Sequence, residues 1–146
     1  MSSNGKISSN GKSAVSLLVI DDNQGNVELL SNALAQPDLE ILTASDPEEG
    51  LDLFWNRRPQ IVLTDLMMPR MTGMEVLERI VDIDPATDVI LMTAHYSTES
   101  AVEAVKKGAS DYLNKPVSIG PLRERIGRLV KEAVSYTHLD VYKRQT

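Results

Sequence analysis

Five side chains in this sequence carry groups suited to holding a phosphoryl group beside a metal ion. They are three carboxylates, one hydroxyl and one ammonium: Asp21, Asp22, Asp65, Thr93 and Lys115. Three carboxylates in one crevice repel one another unless a cation joins them, and oxygen ligands without His or Cys suit Mg²⁺. A hydroxyl and an ammonium beside that cation are the groups that position a phosphoryl group for attack by a carboxylate. The set therefore indicates Mg²⁺-dependent phosphoryl transfer, with Asp65 as the nucleophile.

The elements that position these groups alternate along the chain. Short apolar runs predict five strands, at residues 17–20, 39–43, 61–64, 89–92 and 111–113. A segment with apolar residues at helical spacing follows each run. Such alternation predicts an α/β fold, in which a parallel sheet is covered by helices on both faces. Five strands fit the doubly wound, flavodoxin-like order 2-1-3-4-5.

Helical spacing also predicts which side chains two of the helices turn toward the sheet. The second helix begins at Asp46, which caps it, and its packing face is Leu51, Phe54 and Trp55. The third helix follows Gly73, and its packing face is Met74, Leu77 and Val81.

Open sheets of this kind bind ligands at the carboxyl ends of their strands, where the strand order reverses. Asp21 and Asp22 follow the first strand, Asp65 the third, and Thr93 and Lys115 follow the fourth and fifth. Each residue also has a purely structural interpretation as a helix cap, a strand residue or a solvated turn residue. Complementary groups at four strand ends favour one shared site over four unrelated roles.

Composition restricts the classes of function. The expected folded domain, residues 17–133, carries 11 basic and 20 acidic side chains, a balance of −9 that disfavours nucleic-acid binding. Residues 1–16 are polar and are predicted to be a disordered leader. The absence of Cys excludes thiolate metal sites and is compatible with the cytoplasm, the expected location. No apolar run approaches the length of a membrane span.

The chemical residues have the pattern of a known family. Asp21-Asp22, Thr-Asp-Leu-Met-Met-Pro around Asp65, Gly73, Thr93-Ala94, Tyr112 and Lys115-Pro116 resemble the receiver domain of two-component response regulators over about residues 17–133. The resemblance implies that Asp65 is the phosphoacceptor and that Asp22 and the backbone carbonyl of Met67 bind Mg²⁺, with Asp21 acting mainly through metal-bound water. It also implies that Thr93 and Lys115 hold phosphoryl oxygens, that Tyr112 is an aromatic switch residue turning inward on phosphorylation, and that the Lys115-Pro116 bond is cis.

The resemblance implies partners as well. They are a sensor histidine kinase or phosphotransfer protein as the phosphoryl donor, and an output domain or partner protein. The output surface is that of the fourth helix, fifth strand and fifth helix, and phosphorylation would allow a homodimer. On this interpretation the domain is a switch rather than an enzyme, the N-terminal receiver of a transcription regulator. Residues 93–102 are similar to receivers of bacterial enhancer-binding activators.

Two other classes of function share parts of the pattern. A Mg²⁺-dependent aspartyl-phosphate phosphatase needs Asp-x-Asp, and here Met67 stands at the second position. A nucleotide-binding module needs a glycine-rich loop after the first strand, where this sequence reads Asp-Asp-Asn-Gln-Gly.

The C-terminal residues have an unusual coding pattern. Residues 134–145, Val-Ser-Tyr-Thr-His-Leu-Asp-Val-Tyr-Lys-Arg-Gln, can be encoded by an almost perfect inverted DNA repeat centred on CTAG. That repeat resembles two joined transposon ends from sequencing-library preparation. We therefore expect residues 134–146 to be a translated adapter that truncates a longer regulator. The alternative is a natural extension, which would make the chain a stand-alone receiver.

Overall fold

The computed structural model describes the backbone of residues 15–145 and the side chains of residues 15–134. Within this part, strands and helices alternate as the sequence predicts. The elements are β1 (Val15–Ile20), α1 (Gln24–Leu34), β2 (Leu39–Ala44), α2 (Pro47–Arg57), β3 (Ile61–Asp65), α3 (Gly73–Ile83), β4 (Asp88–Thr93), α4 (Thr98–Lys106), β5 (Asp111–Asn114) and α5 (Ile119–Gln145). All strand pairs are parallel and the order is β2-β1-β3-β4-β5, which confirms the predicted fold.

The ends of the chain differ from the sequence-based boundaries. Residues 1–14 of the expected leader lie outside the described residues. Val15 and Ser16 belong to β1, where they pair with Leu39 and Glu40 of β2, so the strand begins two residues earlier than predicted. The last helix is longer than its apolar face suggested, since α5 continues to Gln145.

The sheet is buried on both faces because its strands are apolar on both faces. Every residue of β3 is buried. One face of the sheet packs against α2, α3 and α4, and the other packs against α1 and α5. This double coverage leaves the carboxyl edge of the strands as the place where polar side chains from several strands can meet.

Four helices begin at a residue whose side chain accepts a backbone hydrogen bond. These caps are Asn23 for α1, Asp46 for α2 as predicted, Thr72 for α3 and Ser97 for α4. Because Asn23 caps α1, the structural role considered for Asp21-Asp22 is already filled by another residue.

Two of the predicted packing faces require correction. Trp55 was expected to pack inward, but its side chain is 58% exposed, and α2 buries Pro47, Gly50 and Phe54 instead. The Trp55 ring lies under the guanidinium of Arg58, 4.7 Å from the ring centroid. The error arises because spacing of three and four residues fixes a helical face only to within about one residue. In α3 the buried apolar residues are Val76, Leu77 and Ile80, while Met74 and Val81 are only partly buried.

Candidate functional site

Three carboxylates converge at the carboxyl edge, at the reversal of strand order between β1 and β3. One oxygen each from Asp21, Asp22 and Asp65 lies within 4.8 Å of the others. Asp21 is fully buried and Asp65 is 7% exposed, whereas Asp22 is exposed. All three donors are hard oxygen atoms, and the arrangement is open on the side of Asp22. The donor set and its compactness fit Mg²⁺.

Lys115 joins two of these carboxylates. Its Nζ lies 3.0 Å from Asp21 Oδ2 and 3.1 Å from Asp65 Oδ1. The backbone N–H of Lys115 donates to the Thr93 carbonyl oxygen at 2.7 Å, and the Lys115–Pro116 bond is cis, as the resemblance implied. The loop after β5 is therefore attached to the end of β4 at the point where the lysine turns toward β1 and β3.

Asp21 is held by the start of α1. Its Oδ1 accepts the Asn23 backbone N–H at 2.9 Å, and its Oδ2 lies 3.5 Å from Asn26 Nδ2. With Lys115 on the same Oδ2, this carboxylate is both buried and oriented by neighbours. Asp22, by contrast, is exposed.

The loop between β3 and α3 folds back against the strand that carries Asp65. Gly73 N–H donates to the Leu66 carbonyl oxygen at 2.8 Å, and a Cβ on Gly73 would overlap the Asp65 carbonyl oxygen. Only glycine allows this close approach of two backbones. The loop leaves the Met67 side chain 60% exposed and buries Met68. Met67 thus lies at the surface beside the phosphoacceptor candidate.

Burial and the contact between Asp65 and Lys115 have opposite effects on the pKa of each of these two groups. Burial raises the pKa of the Asp65 carboxyl, the hydrogen bond from Lys115 opposes this, and the charges of Asp21 and Asp22 add to the rise. Burial lowers the pKa of Lys115, but its hydrogen bonds to Asp21 and Asp65 outweigh burial, so the net direction is upward. Lys115 therefore keeps its positive charge. A cation beside Asp65 would favour the ionised form of the Asp65 carboxyl.

Thr93 is fully buried at the end of β4, and its Oγ1 accepts the His95 backbone N–H at 3.0 Å. His95 itself is exposed. Tyr112, expected to turn inward as a switch, is already only 7% exposed. Its ring contacts that of Tyr96, with centroids 5.1 Å apart.

Two residues near the site were not singled out from the sequence. Asn26 approaches Asp21, and its only sequence signal is its place in the first turn of α1. Tyr96 contacts Tyr112 from the loop before α4. It stands directly before the cap Ser97 and five residues before Ala101, the spacing at which an apolar residue packs across the start of a helix. That pattern was a usable signal for Tyr96.

An apolar hollow adjoins the carboxylate cluster. It has a volume of about 340 Å³ and lies where α1 faces the loop from β5 to α5. Its lining includes Asn26, Leu29, Lys115, Pro116, Val117 and Ile119. Leu29 is 63% exposed, so an apolar side chain is available to a partner immediately beside Lys115.

No helix in residues 15–145 is both long enough and apolar enough to cross a membrane.

The chain is similar to known proteins over most of the described domain. Residues 17–127 match the family model of the response regulator receiver domain. Regulatory protein AtoC of Escherichia coli is 36% identical over 115 residues, covering 79% of this chain and 25% of AtoC. Regulatory protein LuxO of Vibrio cholerae is 31% identical over 115 residues, with the same coverage of 79% and 25%. The chain therefore spans about a quarter of the length of these relatives.

Solved structures agree with this assignment. A response regulator receiver domain protein from Clostridium thermocellum has a TM-score of 0.72 and 34% identity, covering 86% of this chain and 98% of that one. This chain belongs to the family of response regulator receiver domains of two-component systems.

Proposed function

We propose that this chain is a phosphorylation-dependent signalling switch in which Asp65 accepts a phosphoryl group from a sensor histidine kinase or phosphotransfer protein. The observation that supports this most strongly is the contact of Asp65 with Lys115 inside a cluster of three carboxylates. A carboxylate paired with an ammonium and facing two further oxygen donors is equipped for charge neutralisation at phosphorus.

In the proposed reaction, an oxygen of Asp65 forms a bond to phosphorus as the bond from phosphorus to the donor histidine nitrogen breaks. The nitrogen keeps the electron pair of the broken bond. Lys115 and the Thr93 hydroxyl hold phosphoryl oxygens. Asp22, Asp65 and the backbone carbonyl of Met67 would hold Mg²⁺, with Asp21 taking part mainly through metal-bound water, and the ion would supply positive charge that offsets the charge of the carboxylates and the phosphoryl oxygens.

Two separate surfaces of the domain would serve the phosphoryl donor and the output partner. The apolar hollow beside Lys115 is placed to receive the phosphoryl donor, because it adjoins the reacting group and includes exposed Leu29. The surface of α4, β5 and α5 would pass the signal to an output domain or, on phosphorylation, to a second copy. Since the relatives named above are regulatory proteins, we propose a bacterial, cytoplasmic transcription regulator as the parent protein.

Phosphorylation by a small donor tests this function. Acetyl phosphate with Mg²⁺ should add the mass of one phosphoryl group to the wild type, and chelation of Mg²⁺ should prevent it. Asp65→Asn should gain none, whereas Asp52→Asn, which changes an exposed aspartate on α2, should react like the wild type. Phosphorylation of Asp65→Asn at the wild-type rate would show that the phosphoacceptor is another residue.

The adapter interpretation of residues 134–146 is a second proposal, and it rests on the coding pattern. Among residues 119–134, whose side chains the structure describes, the last buried residue of α5 is Val130, and Val134 is 43% exposed. Deleting residues 135–146 should therefore leave the midpoint of urea unfolding and the phosphorylation of Asp65 unchanged. The source locus should continue into a different sequence. A genomic clone with these codons followed by a stop would contradict the proposal.

A further inference from the structure

Three hydrogen-bond donors surround the carboxylate of Asp21. Its Oδ1 accepts the Asn23 backbone N–H at 2.9 Å, and its Oδ2 lies 3.0 Å from Lys115 Nζ and 3.5 Å from Asn26 Nδ2. Asp21 is fully buried. A buried carboxylate is destabilised when a donor withdraws from it, unless another donor takes the vacated place. The orientation and charge of Asp21 therefore depend on these three groups.

The first turn of α1 holds the side chain of Asn26 beside Asp21. Asn23 Oδ1 accepts the Asn26 backbone N–H at 3.0 Å, while the Asn23 backbone N–H donates to Asp21. Asn26 is partly buried, and it lines the apolar hollow together with Lys115. At 3.5 Å its amide is at the outer limit of a hydrogen bond to Asp21 Oδ2. A small rotation of the side chain would strengthen this contact without moving the helix.

Lys115 is shared between two carboxylates. Its ammonium has three protons, and its Nζ lies 3.0 Å from Asp21 Oδ2 and 3.1 Å from Asp65 Oδ1. In the proposed function, this lysine holds an oxygen of the phosphoryl group on Asp65. A phosphoryl group carries more negative charge than the carboxylate to which it is added, so it draws the ammonium toward Asp65. Asp21 Oδ2 then loses part of its interaction with the lysine.

We propose that Asn26 is a positioning residue, which takes over Asp21 Oδ2 when Lys115 moves toward a phosphoryl group on Asp65. The Asn26 amide donates more closely to Oδ2 in that state and keeps Asp21 oriented. An interaction that is stronger in one state of a protein shifts the equilibrium toward that state. Asn26 therefore stabilises the phosphorylated form, and it does so through Asp21. This inference rests on the proposed function and adds a residue to it.

Binding of beryllium fluoride, a mimic of the phosphoryl group, tests the inference on the full chain with Mg²⁺. Backbone amide signals of Asp65 and Thr93 in nuclear magnetic resonance spectra follow the titration. Asn26→Leu removes the donor and keeps a side chain of similar size. It should weaken binding of the mimic by about 10-fold, the effect of losing one hydrogen bond to a charged group. Its affinity for Mg²⁺ alone should be unchanged, because Lys115 still holds Asp21 when no mimic is bound.

Two further variants separate the amide of Asn26 from its packing. Asn26→Gln keeps an amide donor and should restore binding of the mimic. Gln24→Leu is the matched control, because Gln24 is exposed in the same turn of α1, and it should bind the mimic like the wild type. If Asn26→Leu weakens the binding of Mg²⁺ alone as much as it weakens binding of the mimic, Asn26 has only a structural role and the inference is wrong.

The Asn26 side chain also gives a direct readout in the wild type. Its Nδ2 proton signals are identified by their loss in Asn26→Leu. When the mimic is added, these protons should shift downfield and exchange more slowly with water as the bond to Asp21 shortens. Unmoved Asn26 signals beside shifted Asp65 and Thr93 amides would overturn the inference and leave the switch intact. If those two amides do not shift in the wild type, the proposed function fails and the inference fails with it.

Discussion

Helices α3 and α4 follow adjacent strands of the same sheet, one after Asp65 and the other after Thr93, yet they are attached very differently. α3 buries Gly73, Val76, Leu77 and Ile80, whereas α4 buries only Ala104. Full burial of a large apolar side chain contributes roughly 1.5–3 kcal/mol, and Ala contributes much less. The helix beside the phosphoacceptor is thus anchored by several buried side chains, whereas the helix beyond Thr93 is anchored by Ala104 and the partly buried Ala101.

The N-terminal caps of the two helices also make α3 the more firmly attached helix. α3 begins with a reciprocal capping box between Thr72 and Glu75, and Gly73 adds a backbone bond to Leu66. For α4 the cap is a single acceptor, Ser97. Consecutive βα units of one sheet can therefore serve different purposes. β3 and α3 hold the reacting carboxylate in a fixed position, whereas β4 and α4 provide a surface that can adjust.

The largest expected effect compares one apolar residue on each of the two helices. Leu77→Ala on α3 removes fully buried atoms and should lower the free energy of unfolding by about 2–5 kcal/mol. Val105→Ala on α4, where the side chain is 62% exposed, should change it by no more than about 0.5 kcal/mol. Urea unfolding measures both. Equal losses would remove the distinction between the helices.

The second effect concerns the backbone contact behind Asp65. Gly73→Ala places a Cβ against the Asp65 carbonyl oxygen, and relieving this overlap should cost about 1–3 kcal/mol and slow phosphorylation by acetyl phosphate. Gly120→Ala is the matched control, because a Cβ there meets no atom within 4 Å. If Gly73→Ala matches the wild type in stability and rate, the loop is not held as closely as described.

The smallest effect concerns the caps. Ser97→Ala and Thr72→Ala should each cost about 1 kcal/mol. Because α4 has few buried contacts, the loss at Ser97 should appear as faster amide hydrogen exchange confined to α4, below the threshold of global unfolding. The loss at Thr72 should lower global stability instead. Faster exchange confined to α3 in Thr72→Ala would contradict the comparison.

The strand order and the meeting of Asp21, Asp65 and Lys115 were predictable from the sequence. Buried parallel strands leave a strong apolar signal, and in a doubly wound sheet the residues that follow the strands share one edge. The carboxylate, hydroxyl and ammonium groups that follow the strands then indicate phosphoryl transfer. The roles assigned to Thr93, Tyr112 and Met67 remain predictions, because they concern a phosphorylated state.

Contacts between elements were less predictable. Periodicity placed Trp55 with Phe54, but the face that a helix buries depends on the sheet beneath it, and here Phe54 is buried while Trp55 is exposed. Tyr96 was overlooked because a loop has no periodicity, and its contact with Tyr112 depends on how β4 and β5 align. The spacing between Tyr96 and Ala101 was the only local indication.

The exposed position of Trp55 has a consequence for spectroscopy. It is the single tryptophan of the chain, and it lies in the last turn of α2, a helix that returns from the carboxyl edge of the sheet to the opposite edge. Its fluorescence will therefore report on α2 and the stacked Arg58, and it will be almost silent to events at Asp65. A Trp55→Phe, Tyr96→Trp double variant would move the fluorophore to the loop between β4 and α4, where its fluorescence would follow the proposed switch in real time.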